Sequence, residues 1–326
     1  MKILVTGGAG FIGSHVAEKY LKIGHEVVVI DNLSTGLREF VPRGGRFIEA
    51  DLRDFGTMDR IVSKERAEVV SHHAAQIDVR NSVQRPVHDC LTNVAATVHL
   101  YESARRQGLR KFIFASSGGV IYGEPDRIPI SEKTSAAPQS PYAAAKLSAE
   151  HYLSCFHHLY GISSTVLRYA NVYGPRQLGG EAGVISIFFR NMVSGRRPAI
   201  YGDGRQRRDF VFIDDVVDAN VRALEHEGFG IFNIGTGVAT SIRDLYRSVA
   251  AITRFAEPPL HEPPRQGELF QNALDVRLAS TSLGWRPHTD LKTGLAAAGA
   301  WWRGRIRTVR RTPPRSRRRA TPARVL

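Results

Sequence analysis

Two cysteines, three methionines and three tryptophans in 326 residues leave little material for several kinds of protein. Cys90 and Cys155 stand 65 positions apart and can build neither a disulfide framework nor a four-ligand metal centre, so both are expected to be packing residues. Long apolar runs are also missing. The stretches 27–30 and 295–302 fall far short of the roughly 20 residues that a membrane-spanning helix needs. The opening run 3–5 stops at Thr6-Gly7-Gly8, before a secretory core of about 7 residues could form, and a cytoplasmic protein with no membrane partner is expected. The histidines at 72, 73, 157 and 158 lack a metal-like constellation, so no metal is expected.

Arginine without any acidic residue is concentrated at the end of the chain. Residues 303–326 hold ten arginines and no Asp or Glu, which leaves +4 of the net charge of +14 for everything before them. The body is therefore nearly balanced, and a nucleic-acid partner is not expected of it. With Pro313, Pro314 and Pro322 and few large apolar residues, 303–326 is expected to be disordered and functionally separable.

What is present has the composition of a globular protein, with 42% hydrophobic and 23% charged residues. The first thirty residues read as strand (2–6), Gly-rich turn, helix (11–23) and strand (26–30). Buried-strand candidates follow at 46–48, 69–72 and 111–115, with helical stretches at 57–63 and 93–107 between them. Continuous apolar strands alternating with helices predict an α/β fold with a doubly wound parallel sheet covered on both faces. Ser140 and Pro141 predict a helix over 141–160, and 165–169 reads as a further strand. Beyond Gly174-Pro175 the pattern breaks into short elements. The expected division is a dinucleotide-binding domain at 1–172, to which 209–234 returns, and a smaller substrate-binding region at 173–302.

Thr6-Gly7-Gly8-Ala9-Gly10-Phe11-Ile12-Gly13 lies between strand and helix, where a dinucleotide-binding turn belongs. Gly7 permits the turn, Gly10 lets backbone approach a pyrophosphate, and Gly13 lets helix and strand pack closely. Asp31 closes the second strand 18 residues after Gly13, placed to accept hydrogen bonds from the adenosine ribose and to repel a 2′-phosphate. The cofactor expected is NAD. Tyr142 and Lys146, four apart on the capped helix, share a face, and an ammonium beside a phenol favours the phenolate needed in a base. Ser116 and Ser117 emerge at the carboxyl end of the strand 111–115, where open α/β sheets bind ligands, and one of these hydroxyls can shuttle a proton to Tyr142.

With these pieces assembled, residues 1 to about 302 resemble the extended short-chain dehydrogenase/reductases of the nucleotide-sugar type and, among them, the UDP-glucose 4-epimerases. The resemblance is carried by Thr6 to Ser14, Asp31-Asn32-Leu33-Ser34-Thr35-Gly36, Asp51-Leu52-Arg53-Asp54, His72-His73-Ala74-Ala75-Gln76, Tyr142 to Lys146, 167–176 and Arg208-Asp209-Phe210-Val211. It implies a Rossmann fold and cofactor contacts at Phe11, Ile12, Asn32, Asp51, Leu52, Ala74, Ala75, Asn93 and Tyr169. It further implies nucleotide-sugar contacts at Asn171, Arg208 and Arg265, and a homodimer formed by the helices 93–107 and 141–160. Asn272 falls where the family places a gatekeeper beside the sugar's C2 substituent, and a residue of its size would admit N-acetylated sugars. The implied reaction inverts C4 of a UDP-hexose through a 4-keto sugar, with Tyr142 as base, Lys146 holding the cofactor ribose and a serine relaying the proton.

One departure bears on the chemistry. The stretch 114–123 has one more residue between its serines and Tyr122-Gly123 than many members of the family, so the hydroxyl is either Ser116 or Ser117, with Ser117 preferred. Gly118, Gly119, Val120 and Ile121 carry no acid where related dehydratases and decarboxylases do, which argues against elimination. The alternatives are another nucleotide-sugar oxidoreductase, such as a uronate epimerase or reductase, or a non-catalytic NAD-binding regulator that uses its arginine tail.

Overall fold

A computed structural model describes residues 1–178, 183–264 and 269–311. The chain begins β1 (Lys2–Thr6), α1 (Phe11–Lys22), β2 (Glu26–Asp31), β3 (Arg46–Glu49), α2 (Phe55–Glu65) and β4 (Val69–His72). Two short helices, α3 (Val79–Gln84) and α4 (Pro86–Cys90), lead through a π-turn at Leu91–Ala95 into α5 (Ala96–Arg105). Next come β5 (Lys111–Ser117), α6 (Pro141–Tyr160), β6 (Ser163–Tyr169), β7 (Asn171–Tyr173), α7 (Val184–Val193), β8 (Ala199–Tyr201) and β9 (Arg207–Phe212). The described chain ends with α8 (Ile213–Ala223), β10 (Phe229–Ile234), β11 (Ala239–Ser241), α9 (Ile242–Thr253), β12 (Leu260–Glu262), α10 (Arg277–Ser282) and α11 (Leu291–Arg311).

Seven parallel strands form the main sheet in the order β10-β6-β5-β4-β1-β2-β3. Strand alternation sends Leu4, Val28, Phe112, Phe114 and Val166 toward α2, α5 and α6, where Met58, Val62, Leu100, Ala149 and Leu153 meet them. Ile3, Val5, Val27, Val29, Ile113 and Leu167 face the other way, into a core shared with Val16 and Tyr20 of α1 and Val216 of α8. Both faces are covered, which is why the strands read as unbroken apolar runs. The order reverses at β1, whose neighbours are β2 and β4, and a ligand crevice opens beyond their carboxyl ends.

Helix α6 spans the expected residues because its end signals are local. The Ser140 hydroxyl accepts from the Ala143 amide at 3.2 Å, Pro141 occupies the first turn, and Gly161 stops the helix at φ +70°. The chain then leaves the main sheet to build a small sheet, β11-β9-β7, and a two-stranded pair, β12-β8. Residues 209–212 lie in that small sheet, whereas β10 returns to the main sheet as an edge strand beside β6.

Three expectations need correction. Residues 303–311 are helical, not disordered, because the apolar stripe of Leu295, Ala298 and Trp302 continues to Ile306, and Arg305 lies over the rings of Phe40 and Trp301 and pairs with Glu39. Residues 312–326 lie outside the described residues. Cys90 and Cys155 are exposed and do not pack in the core. The helix expected over 93–107 belongs to a longer helical run that starts at Pro86 and carries the π-turn within it.

Candidate active site

The turn after β1 is shaped by glycines that nothing larger could replace. Gly7 adopts φ +67°, and a Cβ there would lie 2.6 Å from the Ala74 nitrogen; one on Gly13 would lie 2.3 Å from the Gly7 carbonyl oxygen. Helix α1 therefore starts hard against β1. Gly10 is its N-cap, no side chain caps it and its first turn carries no acid, so its amide end is left for an anion. Asp31 accepts from the Ala9 amide at 3.0 Å and the Leu33 amide at 2.8 Å, and burial pushes its carboxyl up despite those bonds. Asn32 donates to Asp51 at 3.0 Å, and Arg53 beside Asp51 holds that carboxyl well below its usual range. Leu52 is buried next to them.

Across the crevice, the Thr6 hydroxyl joins β1 to the end of β4, 2.7 Å from His72 Nδ1 and 3.3 Å from the Ala74 amide. Ala74 and Ala75, both half-buried, form the lip. Asn93 lies behind that lip. Its amide pairs with both backbone groups of Gln76, at 3.0 and 2.9 Å, and donates to Asp89 at 2.9 Å. The Tyr169 hydroxyl accepts from Asn220 of α8 at 2.8 Å inside the core. Both residues were expected to touch the cofactor; their polar atoms instead support the walls, because each side chain is buried against its own neighbours.

Tyr142 and Lys146 approach the end of β5 from α6. Lys146 donates to the Ala115 carbonyl at 2.9 Å and lies 4.6 Å from the centre of the Phe114 ring. Burial lowers its ammonium to about 8 against the opposing pull of Asp89 and Glu150. Burial likewise pushes the Tyr142 phenol up to about 12, and hydrogen bonding with the Ser117 hydroxyl acts against that rise. The expected ammonium effect on the phenol is thus replaced by a serine effect, since Lys146 is directed at a carbonyl. The two serines separate cleanly. Ser116 is buried and donates to Glu150, whereas Ser117 is the one engaged with Tyr142.

The sugar side is less complete. Asn171 donates to the Asp209 carbonyl at 3.1 Å, and Arg208, half-buried, donates to the Arg207 carbonyl at 2.9 Å from the same strand pair. Arg265 lies outside the described residues. Asn272 is brought to the loop after Ser117, but it is fully buried, with its nitrogen 3.2 Å from the Gly118 carbonyl oxygen. Its expected direct contact with a sugar substituent is replaced by support of the Gly118-Gly119 backbone.

Three buried charged groups were not singled out from the sequence. Asp89 lies at the lip, Glu150 lies one turn beyond Lys146, and Asp209 accepts from the Thr236, Gly237 and Leu274 amides. The 142-146-150 spacing was the one available signal, since it puts a carboxylate on the face already occupied by Tyr142 and Lys146.

The chain matches the NAD dependent epimerase/dehydratase family over residues 3–235 and belongs to it. It is 43% identical over 312 residues to the UDP-glucose 4-epimerase of Mycolicibacterium smegmatis, covering 94% of this chain and 99% of that one. Among solved structures, the UDP-glucose 4-epimerase of Thermotoga maritima with UDP-glucose superposes with a TM-score of 0.92 at 45% identity, covering 94% of this chain and all of that one. The UDP-glucose 4-epimerase of Thermus thermophilus in complex with NAD gives 0.88 at 42% identity, covering 93% and 99%. Among the described residues no helix is long and apolar enough to cross a membrane, and no cluster of His, Cys, Asp or Glu could hold a metal ion.

Proposed function

We propose that this protein interconverts UDP-hexoses by inverting C4, with NAD as its resident cofactor. The observation that carries the reading is the meeting of Ser117, Tyr142 and Lys146 at the end of β5, across the crevice from the uncapped amino end of α1. The glycine cradle fits a dinucleotide, because side chains at Gly7 and Gly13 would collide with backbone. NAD, when bound there, supplies reversible oxidation at C4 and a positive charge. Tyr142 takes the C4 hydroxyl proton and later returns it, and Ser117 relays that proton across the gap between phenol and sugar. Lys146, fixed by the Ala115 carbonyl, holds a positive charge beneath the site. Arg208 and Arg265 hold the diphosphate, a geometry that guanidinium groups match. Incubation with UDP-glucose and with UDP-galactose, followed by NMR of the products, tests this reading; each should yield the other, and an unchanged sugar or a different product overturns it.

Cofactor choice follows from Asp31. The wild-type protein should bind NAD roughly 100-fold more tightly than NADP, since a phosphate brought to a buried carboxylate costs several kcal/mol. Asp31→Ala should narrow that gap while weakening NAD, because the Ala9 amide loses its acceptor. Equal affinities of the wild type by titration calorimetry would refute the assignment.

A homodimer is part of the same proposal. Val83 and Val87 are 62% and 72% exposed on α3 and α4, and Leu159 is 65% exposed on α6, so these helices present large apolar side chains to solvent. Cys90 and Cys155 lie on the same helices. Pairing of these helices about a two-fold axis would cover them. Light scattering at micromolar concentration should give twice the chain mass, and Val87→Asp should give a monomer; a monomeric wild type would disprove it.

A further inference from the structure

The face of α6 that carries Tyr142 and Lys146 continues to Glu150, a residue the reaction leaves unused. Its carboxylate is 2% exposed and is closed in by Arg168 of β6, whose Nε lies 3.0 and 3.1 Å from the two oxygens. Ser116 donates its hydroxyl to the same carboxylate and is the in-register neighbour of Arg168 across the β5–β6 pair. The far side of the guanidinium donates to the Tyr122 hydroxyl at 2.8 Å; that hydroxyl donates to Asn233 at 2.9 Å, and Asn233 donates to the Ile130 carbonyl at 2.9 Å. One buried ion pair therefore joins α6, both central strands, the loop after Ser117 and β10.

Stability does not account for this pair. Desolvating two charges costs about as much as their attraction returns, and apolar residues of similar volume commonly do as well. What apolar residues cannot supply is fixed spacing. Two consecutive residues of β5 are tied to α6 by hydrogen bonds, Ala115 receiving from Lys146 and Ser116 giving to Glu150, and the next residue, Ser117, is the hydroxyl that acts on Tyr142. The Ser116 tie is made to a carboxylate that Arg168 holds in place with two further hydrogen bonds from Nε.

We propose that the Glu150–Arg168 pair, acting through Ser116, is the positioning element that holds the end of β5 at the distance from α6 at which Ser117 and Lys146 serve Tyr142. The proposal rests on these three residues being the reacting groups and adds two positioning residues behind them. Glu150 also acts on Lys146 by charge, together with Asp89 of α4, and burial and the lysine itself hold His72 and His73 at the end of β4 well below their ordinary range.

The test compares the wild type with Ser116→Ala, Glu150→Gln and the double variant Glu150→Leu/Arg168→Met in NAD-loaded protein. It reads kcat and KM for UDP-galactose against pH, the thermal midpoint, and the pH dependence of Lys146 labelling by an amine reagent. Ser116→Ala should lower kcat about 10-fold with KM and midpoint unchanged, and Glu150→Gln about 100-fold, the cost of an ångström-scale misplacement. In Glu150→Gln the alkaline limb and the Lys146 labelling curve should both move to lower pH, because the lysine loses a carboxylate and Arg168 is left unpaired. The double variant should regain the thermal midpoint and not the rate. An unchanged kcat in Ser116→Ala, or recovery of the rate in the double variant, overturns the proposal. If the wild type leaves UDP-galactose untouched, the functional reading fails separately, and an unmoved Lys146 labelling curve in Glu150→Gln then overturns the positioning role.

Discussion

Replacing Tyr142 by Phe should lower kcat by about 10³- to 10⁴-fold, at the upper end of what a positioned acid–base group contributes, while bound NAD and the fold persist. The ring packs among buried neighbours and keeps its shape without the hydroxyl, and the cradle at Gly7, Gly10 and Asp31 lies on other elements. Ser117→Ala should cost less, because the phenol remains. It should also raise the pH at which activity appears, since the Ser117 hydroxyl is what counters the burial that lifts Tyr142 to about 12. With NAD bound, its positive charge should bring the phenol below the lysine, and the alkaline side should fall as Lys146 loses its proton near 8. Stopped assays with UDP-galactose, alongside cofactor content by absorbance, check all of this; near-normal turnover by Tyr142→Phe would exclude it as the base.

Mild acid should destabilise the protein through its buried histidines. Burial lowers His15 to about 4 and His73 to about 3, and it lowers His72 further from its ordinary range. A histidine whose folded value is depressed contributes its stability above about pH 6.5, the unfolded value, and loses it as pH falls toward the folded one. From pH 7 to pH 5, His15 and His73 should each forfeit roughly 2 kcal/mol, and His72 adds to the loss. For a chain of this length the two together lower the thermal midpoint by about 6 °C. Exposed aspartates and glutamates, with ordinary values near 4, contribute little to this window, and the buried Asp31 and Asp209, whose carboxyls burial pushes up, act against the loss as they take up protons. Scanning calorimetry at the two pH values measures the drop, to which His72 adds, and His15→Gln should remove about a third of the whole. Equal midpoints would show that these rings are accessible to protons in the folded state.

The parts of the molecule that could be read from sequence are those whose causes are local. Ser140, Pro141 and Gly161 bound α6 within a few residues of its ends, and the glycine turn announces itself by sitting between an apolar strand and a helix. The proposed triplet of Ser117, Tyr142 and Lys146 was readable because two of its members share one helical face and the third ends the neighbouring strand. What could not be read is the direction in which a side chain faces once distant segments close on it. Asn93, Tyr169 and Asn272 lie at the expected places, yet each is bonded to residues 17, 51 and 154 positions away and supports a wall instead of lining it. Arg305 shows the same effect in the tail. Its residue type suggested solvent, but two aromatic rings and Glu39, 266 positions earlier, hold it on the body.

The return of β10 to the main sheet sets a timetable for synthesis. Strand β6, buried along its whole length in the finished protein, has its final edge partner in β10, which begins sixty residues after Tyr169. On the ribosome, at about 5–20 residues per second, that edge stays open for roughly 3 to 12 seconds. Throughout that interval one edge of β6 offers unpaired backbone groups to any neighbouring nascent chain, so a window of aggregation risk falls after the crevice-forming strands are made and before β10 covers that edge.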